Sequence, residues 1–208
     1  MVGDRIRELV EKYQDGTAPI VSLGEAVLRQ PAERFDGQVD DSVLVAFVEL
    51  LRRTNKAAPG VGLAAPQVGV SVQIAVLEDP APVSDEVAEA RQRYPLEFFA
   101  AINPEYRPHG AQRRGFYEGC LSMPGWAGVV NRYLNLHTTY TDVAGNTQRR
   151  TFSGWQARIF QHETDHLRGT IYVDKAEPRS FTTIETLQTR WNDPVPTTAA
   201  RVLGFHLD

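Results

Sequence analysis

The sequence predicts an α+β fold in which antiparallel sheets wrap around one central buried helix. Three observations predict it. The middle of the chain is a succession of strand-like segments, closing on a hairpin whose turn falls at Ala144-Gly145-Asn146. The stretch that follows spreads Trp155, Ile159, Phe160 and Leu167 around much of a helical cylinder, the pattern of a helix covered on most sides. No internal repeat or low-complexity segment interrupts the 208 residues, a length suited to one catalytic domain with a single core.

In chain order, Ile6, Leu9, Val10 and Tyr13 form the stripe of a short amphipathic helix closed near Gly16. Asp40 and Asp41 are placed to cap a longer helix over Ser42–Thr54, with Val43, Phe47, Leu50 and Leu51 facing inward. The run PGVGLAAPQVGV is too rich in Gly and Pro for a helix and too patterned for a linker. Val72–Leu77 reads as a strand, and residues 78–96 read as a polar surface insertion with room for a short helix. Phe98–Ile102, Arg113–Tyr117, the region Val129–Thr141 and Thr147–Phe152 complete the strands. Ser153-Gly154 and Gly169 bound the central helix, Thr170–Val173 is expected to be a short strand, and an irregular, Pro-broken tail follows from residue 178.

A net charge of −4 argues against a nucleic-acid-binding surface, and no apolar run reaches the ~20 residues that span a bilayer. The only cysteine is Cys120, so no internal disulfide can form and a reducing cytoplasm is the simplest reading. The first residues mix both charge signs and lack the apolar centre of a signal peptide.

The chemistry concentrates in Gln161-His162-Glu163-Thr164-Asp165-His166. Histidines four apart on a helix share a face, with Cβ atoms roughly 5–6 Å apart, so His162 and His166 can reach one metal ion. Glu163 projects beside that ion, as the general base does in H-E-x-x-H hydrolases. One lone histidine is more often a hydrogen-bonded core residue. Two at this spacing around a glutamate on a buried helix favour a bound cation, because an uncompensated polar cluster there would be costly. A free carboxylate at Glu163 also has no use in a purely structural metal module.

Two histidines leave the site incomplete. The position of a third metzincin histidine is Tyr172, so that class fails. Glu185 stands at a spacing used by zinc aminopeptidases, and Cys120 is the rival, since a thiolate beside imidazoles suits a borderline metal.

Three blocks together resemble one family, peptide deformylase. Gly60-Val61-Gly62-Leu63-Ala64-Ala65-Pro66-Gln67 matches its G-x-G-L-A-A-P-Q motif, Glu118-Gly119-Cys120-Leu121-Ser122 its E-G-C-L-S motif, and Gln161–His166 its Q-H-E-x-D-H motif. The likeness runs from about Ala26 to Lys175 and is greatest to the branch that includes plant and mitochondrial enzymes, although no transit-peptide-like start is visible. The resemblance implies removal of the formyl group from N-terminal formylmethionine of newly made proteins, in a bacterial cytoplasm, with nascent chains on ribosomes as partners. The basic C-terminal helix with which the enterobacterial type docks to the ribosome has no equivalent in this tail. Charge and hydropathy argue against direct binding of nucleic acid or membrane. It implies one divalent ion held by Cys120, His162 and His166, with Fe(II) in the cell and Zn, Ni or Co in purified protein. Glu163 would shuttle the proton, while the Gln67 amide and the Leu121 N–H would face the developing oxyanion.

The remaining assignments follow the same resemblance. Main-chain groups of Val61 and Gly62, with Gly119 opposite, are expected to bind the substrate as an added strand. Trp155 and Ile159 are expected to line the methionine pocket. Glu118 and Arg132 would brace the Cys120 loop and Asp165 would support the ligands from behind. Ala127 stands where many relatives carry an arginine, which removes one contact to the substrate tail.

Overall fold

A computed structural model describes residues 1–208. Its strands are β1 (Gly62–Ala64), β2 (Ile74–Asp79), β3 (Leu96–Pro108), β4 (Arg113–Cys120), β5 (Met123–Tyr133), β6 (Asn135–Thr141), β7 (Thr147–Ser153) and β8 (Thr182–Thr183). They form a five-stranded sheet, β1-β2-β3-β6-β7, and a three-stranded one, β4-β5-β8, antiparallel throughout. The helices are α1 (Val2–Lys12), α2 (Asp41–Ala57), α3 (Asp85–Arg91), α4 (Gly154–Leu167), α5 (Ile184–Arg190) and α6 (Thr197–Leu203).

Strand periodicity distributes the core. Leu63, Ile74, Val76, Ala100 and Ile102 point to one face of the larger sheet and pack on α1 and α2 through Ile6, Leu9, Phe47, Leu50 and Leu51. Their neighbours Ala64, Ala75, Leu77 and Ala101 point to the other face, against Ala157, Ile159 and Phe160 of α4. Three of those four sheet residues are alanines, so the helix lies close to the backbone. Asp40 is the cap of α2, its carboxylate accepting the Val43 N–H at 3.0 Å.

The region 129–141 is divided at Leu134. The half before it belongs to the small sheet and the half after it to the large one, so the chain crosses between sheets there. That crossing, followed by the β6–β7 hairpin, delivers α4 into the space between the two sheets.

Three expectations are corrected. Thr170–Val173 is not a strand: a tight turn forms over Tyr172–Asp174, because the Asp174 carboxylate accepts the Ile171 N–H at 2.9 Å and closes the backbone locally. The tail is not irregular. Thr182 and Thr183 pair with Ala127 and Trp126 of β5, and Thr183 caps α5 by accepting the Thr186 N–H at 3.1 Å. Its apolar residues, Ile184, Leu187, Trp191, Leu203, Phe205 and Leu207, cover Tyr117 and Val129 of the small sheet. In a tail that reads as Pro-broken, two threonines supply a strand and a cap. The 78–96 stretch is also more than surface: Glu78 and Asp79 extend β2, Leu96 begins β3, and Asp79 is buried.

Phe47 is fully buried between α2 and the large sheet, on the face away from the central helix. Phe47→Ala is expected to lower stability by about 3–5 kcal/mol, read as a lower urea midpoint with an unchanged m-value.

Candidate metal centre

Helix α4 carries the chemistry and almost every residue on it is buried. Its ends are glycines for geometric reasons. Gly169 has φ of +73°, and a Cβ there would come within 2.8 Å of the Arg29 backbone, so only glycine ends the helix at this point. Polar groups carried inward are matched one by one. The Gln161 side chain bonds both main-chain groups of Tyr133, accepting its N–H at 3.2 Å and donating to its carbonyl at 2.9 Å. The Thr164 hydroxyl donates to the Phe160 carbonyl within the helix.

Cys120 ends β4 opposite His162 and His166, and ligand atoms of the three lie within 4.8 Å of one another. The Cys120 Sγ is 3.3 Å from His166 Nε2. Tetrahedral coordination with the usual Zn–S and Zn–N lengths separates ligand atoms by about 3.5 Å, so the donor set fits a divalent ion with little movement. His162 Nδ1 lies 2.9 Å from Glu118 Oε2, which directs its proton to the carboxylate and leaves Nε2 for a metal. Burial depresses the pKa of His166, keeping that ring neutral, the form that ligates. Glu185, the alternative third ligand, is exposed on α5 and lies outside this group.

Behind the triad lies a buried ion cluster. Arg132 donates twice to Glu118, at 2.6 and 2.9 Å, and once to Asp165 at 2.7 Å. Lys175 takes the other Asp165 oxygen at 2.7 Å. Burial opposes a charge on Glu118, but Arg132 and Arg158 outweigh it and hold its carboxyl well below the usual range. Arg158 was not among the residues expected here. It donates to Glu118 and to the Val130 and Arg114 carbonyls. Its spacing carried the signal: Arg158 is four residues before His162 on one helix face, and Glu118 two before Cys120 on one strand face.

Glu163 sits against β1. A Cβ at Gly62 would lie 2.4 Å from Glu163 Oε1, so the second glycine of the G-x-G run makes room for this carboxylate. Its Oε2 is buried without a hydrogen-bond partner, and burial is the chief cause that raises its pKa to about 7. Gln67 has a fixed orientation. Its Oε1 accepts the Ala64 N–H at 2.9 Å, which turns Nε2 toward Ser122 Oγ at 3.3 Å and Cys120 Sγ at 3.6 Å. The Leu121 N–H, at the β4–β5 turn, donates to no protein acceptor.

These groups open into a groove of about 540 Å³. Val61 and Gly62 form one wall and Gly119 the other, with Trp155 and Ile159 lining it along α4. Both walls are unpaired sheet edges, since β1 ends the large sheet and β4 ends the small one. The Val61 carbonyl accepts the Glu78 N–H, so strand alternation turns the main-chain groups of Gly62 to the open edge. Arg93 and Ile184 also reach the groove, and neither was expected from the sequence.

Residues 17–181 match the profile of the family described as polypeptide deformylase. The chain is 50% identical over 206 residues to peptide deformylase 1 of Streptomyces coelicolor, covering 99% of this chain and 94% of that one. It is 39% identical over 175 residues to the chloroplastic/mitochondrial peptide deformylase 1A of Arabidopsis thaliana, covering 81% of this chain and 64% of the relative. Among solved structures, a class I type b peptide deformylase from Acinetobacter baumannii with Met-Ala-Ser bound superposes with a TM-score of 0.69 at 28% identity, over 76% of this chain and 98% of the other.

Cys120→Ala is expected to abolish stoichiometric metal after desalting, as measured by elemental analysis, whereas Glu185→Ala retains it. Gly62→Ala is expected to keep the metal yet lower kcat by about 10²-fold, because displacing a reacting group by about 1 Å has that effect.

Proposed function

The chain belongs to the polypeptide deformylase family, and we infer that it hydrolyses the formyl amide of N-terminal formylmethionine, releasing formate and a free amino terminus. The observation that carries this reading is the Glu163 carboxylate, buried with one oxygen unbonded beside the Cys120/His162/His166 cluster. A structural metal site would leave no such group idle.

The substrate enters as an extended chain between the edges of β1 and β4, its main chain meeting Gly62 on one side and Gly119 on the other. Val61 lines the same wall, and the first side chain lies along Ile159 and Trp155. When bound, a divalent ion on Cys120, His162 and His166 supplies Lewis-acid activation of a water molecule and of the formyl carbonyl. Glu163 takes a proton from the water as its oxygen bonds to the formyl carbon. The raised pKa of this carboxyl suits it to pass that proton on to the nitrogen as the C–N bond breaks. Gln67 Nε2 and the Leu121 N–H stabilise the negative charge that develops on the formyl oxygen. Glu118, Arg132 and Asp165 hold His162 and the Cys120 strand in place.

The donor set accepts several borderline ions, and Fe(II) is the ion proposed for the cell, with Zn, Ni or Co taking its place in purified protein. A cysteine thiolate in the donor set would leave an Fe(II)-loaded site open to oxidation. Family members act on nascent formylated polypeptides, and the finer proposal is a bacterial cytoplasmic enzyme that meets them at the ribosome. Bacterial relatives at 50% identity favour that location. No helix is long and apolar enough to cross a membrane.

Metal-loaded protein is expected to release formate from formyl-Met-Ala-Ser, and fully metallated protein that releases none refutes the reading. Glu163→Gln is expected to keep its metal while kcat falls by about 10²–10⁴-fold. Gln67→Leu, which removes one oxyanion donor, is expected to lower kcat by about 10²–10³-fold.

A further inference from the structure

The stretch between β2 and β3 is fastened to the first turn of α4. Gln92 adopts a left-handed backbone with φ of 48°, and its carbonyl accepts the Trp155 N–H at 3.2 Å. That donor is one of those a helix leaves unmatched at its start. Gly154 faces the same residue so closely that an added Cβ would lie 2.4 Å from Gln92 Cβ. The Gln156 amide donates to the Pro95 carbonyl at 3.0 Å, and Arg91 Nε donates to the Pro194 carbonyl at 3.0 Å. Arg93 completes the attachment with two hydrogen bonds to Asp79, at 2.9 and 3.0 Å.

These ties aim Arg93 inward. Its side chain is 16% exposed and reaches the groove beside Trp155, Arg158 and Ile159. The Trp155 indole N–H has no acceptor, so packing and cations alone set the ring. The guanidinium carbons of Arg91, Arg93 and Arg158 lie 5.5, 5.3 and 5.5 Å from its centre. Along α4 the lining runs from His162 past Ile159 to Trp155, seven residues and about 10 Å of helix.

We infer that Arg93, held by Asp79 against Trp155, closes the far end of the pocket for the first side chain of the substrate and so sets the length that fits. The inference rests on the deformylase reading and deepens it. A long unbranched side chain passes along Ile159 and stops at the indole. Asp79 balances the Arg93 charge, so the pocket ends on a paired cation rather than a free one that would hold water. The segment between β2 and β3 is thereby a specificity element, and Arg93 acts on the substrate partly through the position of Trp155.

The test compares formyl-Met-Ala-Ser with the formyl-ethionine peptide, whose side chain is one methylene longer, on metal-loaded enzyme. A methylene at a closed pocket end is worth about 10-fold or more in kcat/KM. Arg93→Ala is expected to move the ethionine-to-methionine ratio of kcat/KM upward by about 10-fold. Trp155→Phe shortens the wall while leaving the Asp79–Arg93 pair intact, and it moves the ratio the same way even if Arg93→Ala fails to fold. Loss of packing alone would lower both rates together and leave the ratio where it was. If the wild type turns over both peptides and every folded variant keeps the ratio within about 2-fold, the inference is overturned. Absence of formate from the wild type would instead remove the deformylase reading, and this inference with it.

Discussion

A cluster of charges enclosed by protein is stable only when each charge meets its opposite, and the site depends on that condition being satisfied around Glu118. This one carboxylate accepts from Arg132, Arg158 and the ring of His162, linking two strands of the small sheet to the central helix. Arg132 continues the chain to Asp165, and Lys175 closes it near the surface. Glu118 is the only carboxylate that Arg158 meets, so removing it would leave a buried arginine unpaired, and the same carboxylate ties the ring of His162 to the strand of Cys120. The histidine proton is assigned by the same contact.

The two sheets serve the groove through their edges. An unpaired strand edge exposes a row of hydrogen-bonding groups, which is hazardous on an open surface. Here both edges, β1 and β4, line a cleft of limited width. A peptide pairing with them would lie extended along the cleft that leads to Cys120 and the histidines. Main-chain pairing is indifferent to sequence, so discrimination falls to the pocket along α4, whose far end is built by the segment between β2 and β3 and whose outer rim includes Ile184 of the tail.

The motifs were legible because each rests on a local rule. Histidines at i and i+4 share a helix face, and Gly169 falls where a left-handed residue must end that helix. Arg158 and Arg93 escaped for opposite reasons. Arg158 has a local signal, the four-residue step to His162, yet an arginine among apolar residues reads as a solvated charge until the strand bearing Glu118 is placed against it. Arg93 has no local signal. Its importance comes from a partner fourteen residues earlier, buried at the end of β2, and from the helix start that Gln92 caps. The tail misled for a related reason, since its prolines read as breaks in any regular element, whereas Thr182 and Thr183 form a strand against β5 and Thr183 caps a helix there.

By itself the sequence determined the α+β class, the central helix and the residues able to hold a metal, because periodicity, capping and ligand spacing are properties of a few neighbouring residues. Tertiary structure alone decided that Glu118 would be shared by two arginines and a histidine, that Gly62 would yield space to Glu163, and that Arg93 and Ile184 would reach the groove. Those contacts join segments far apart in the chain. Which of them form depends on how two sheets close on one helix, and no local pattern carries that distance.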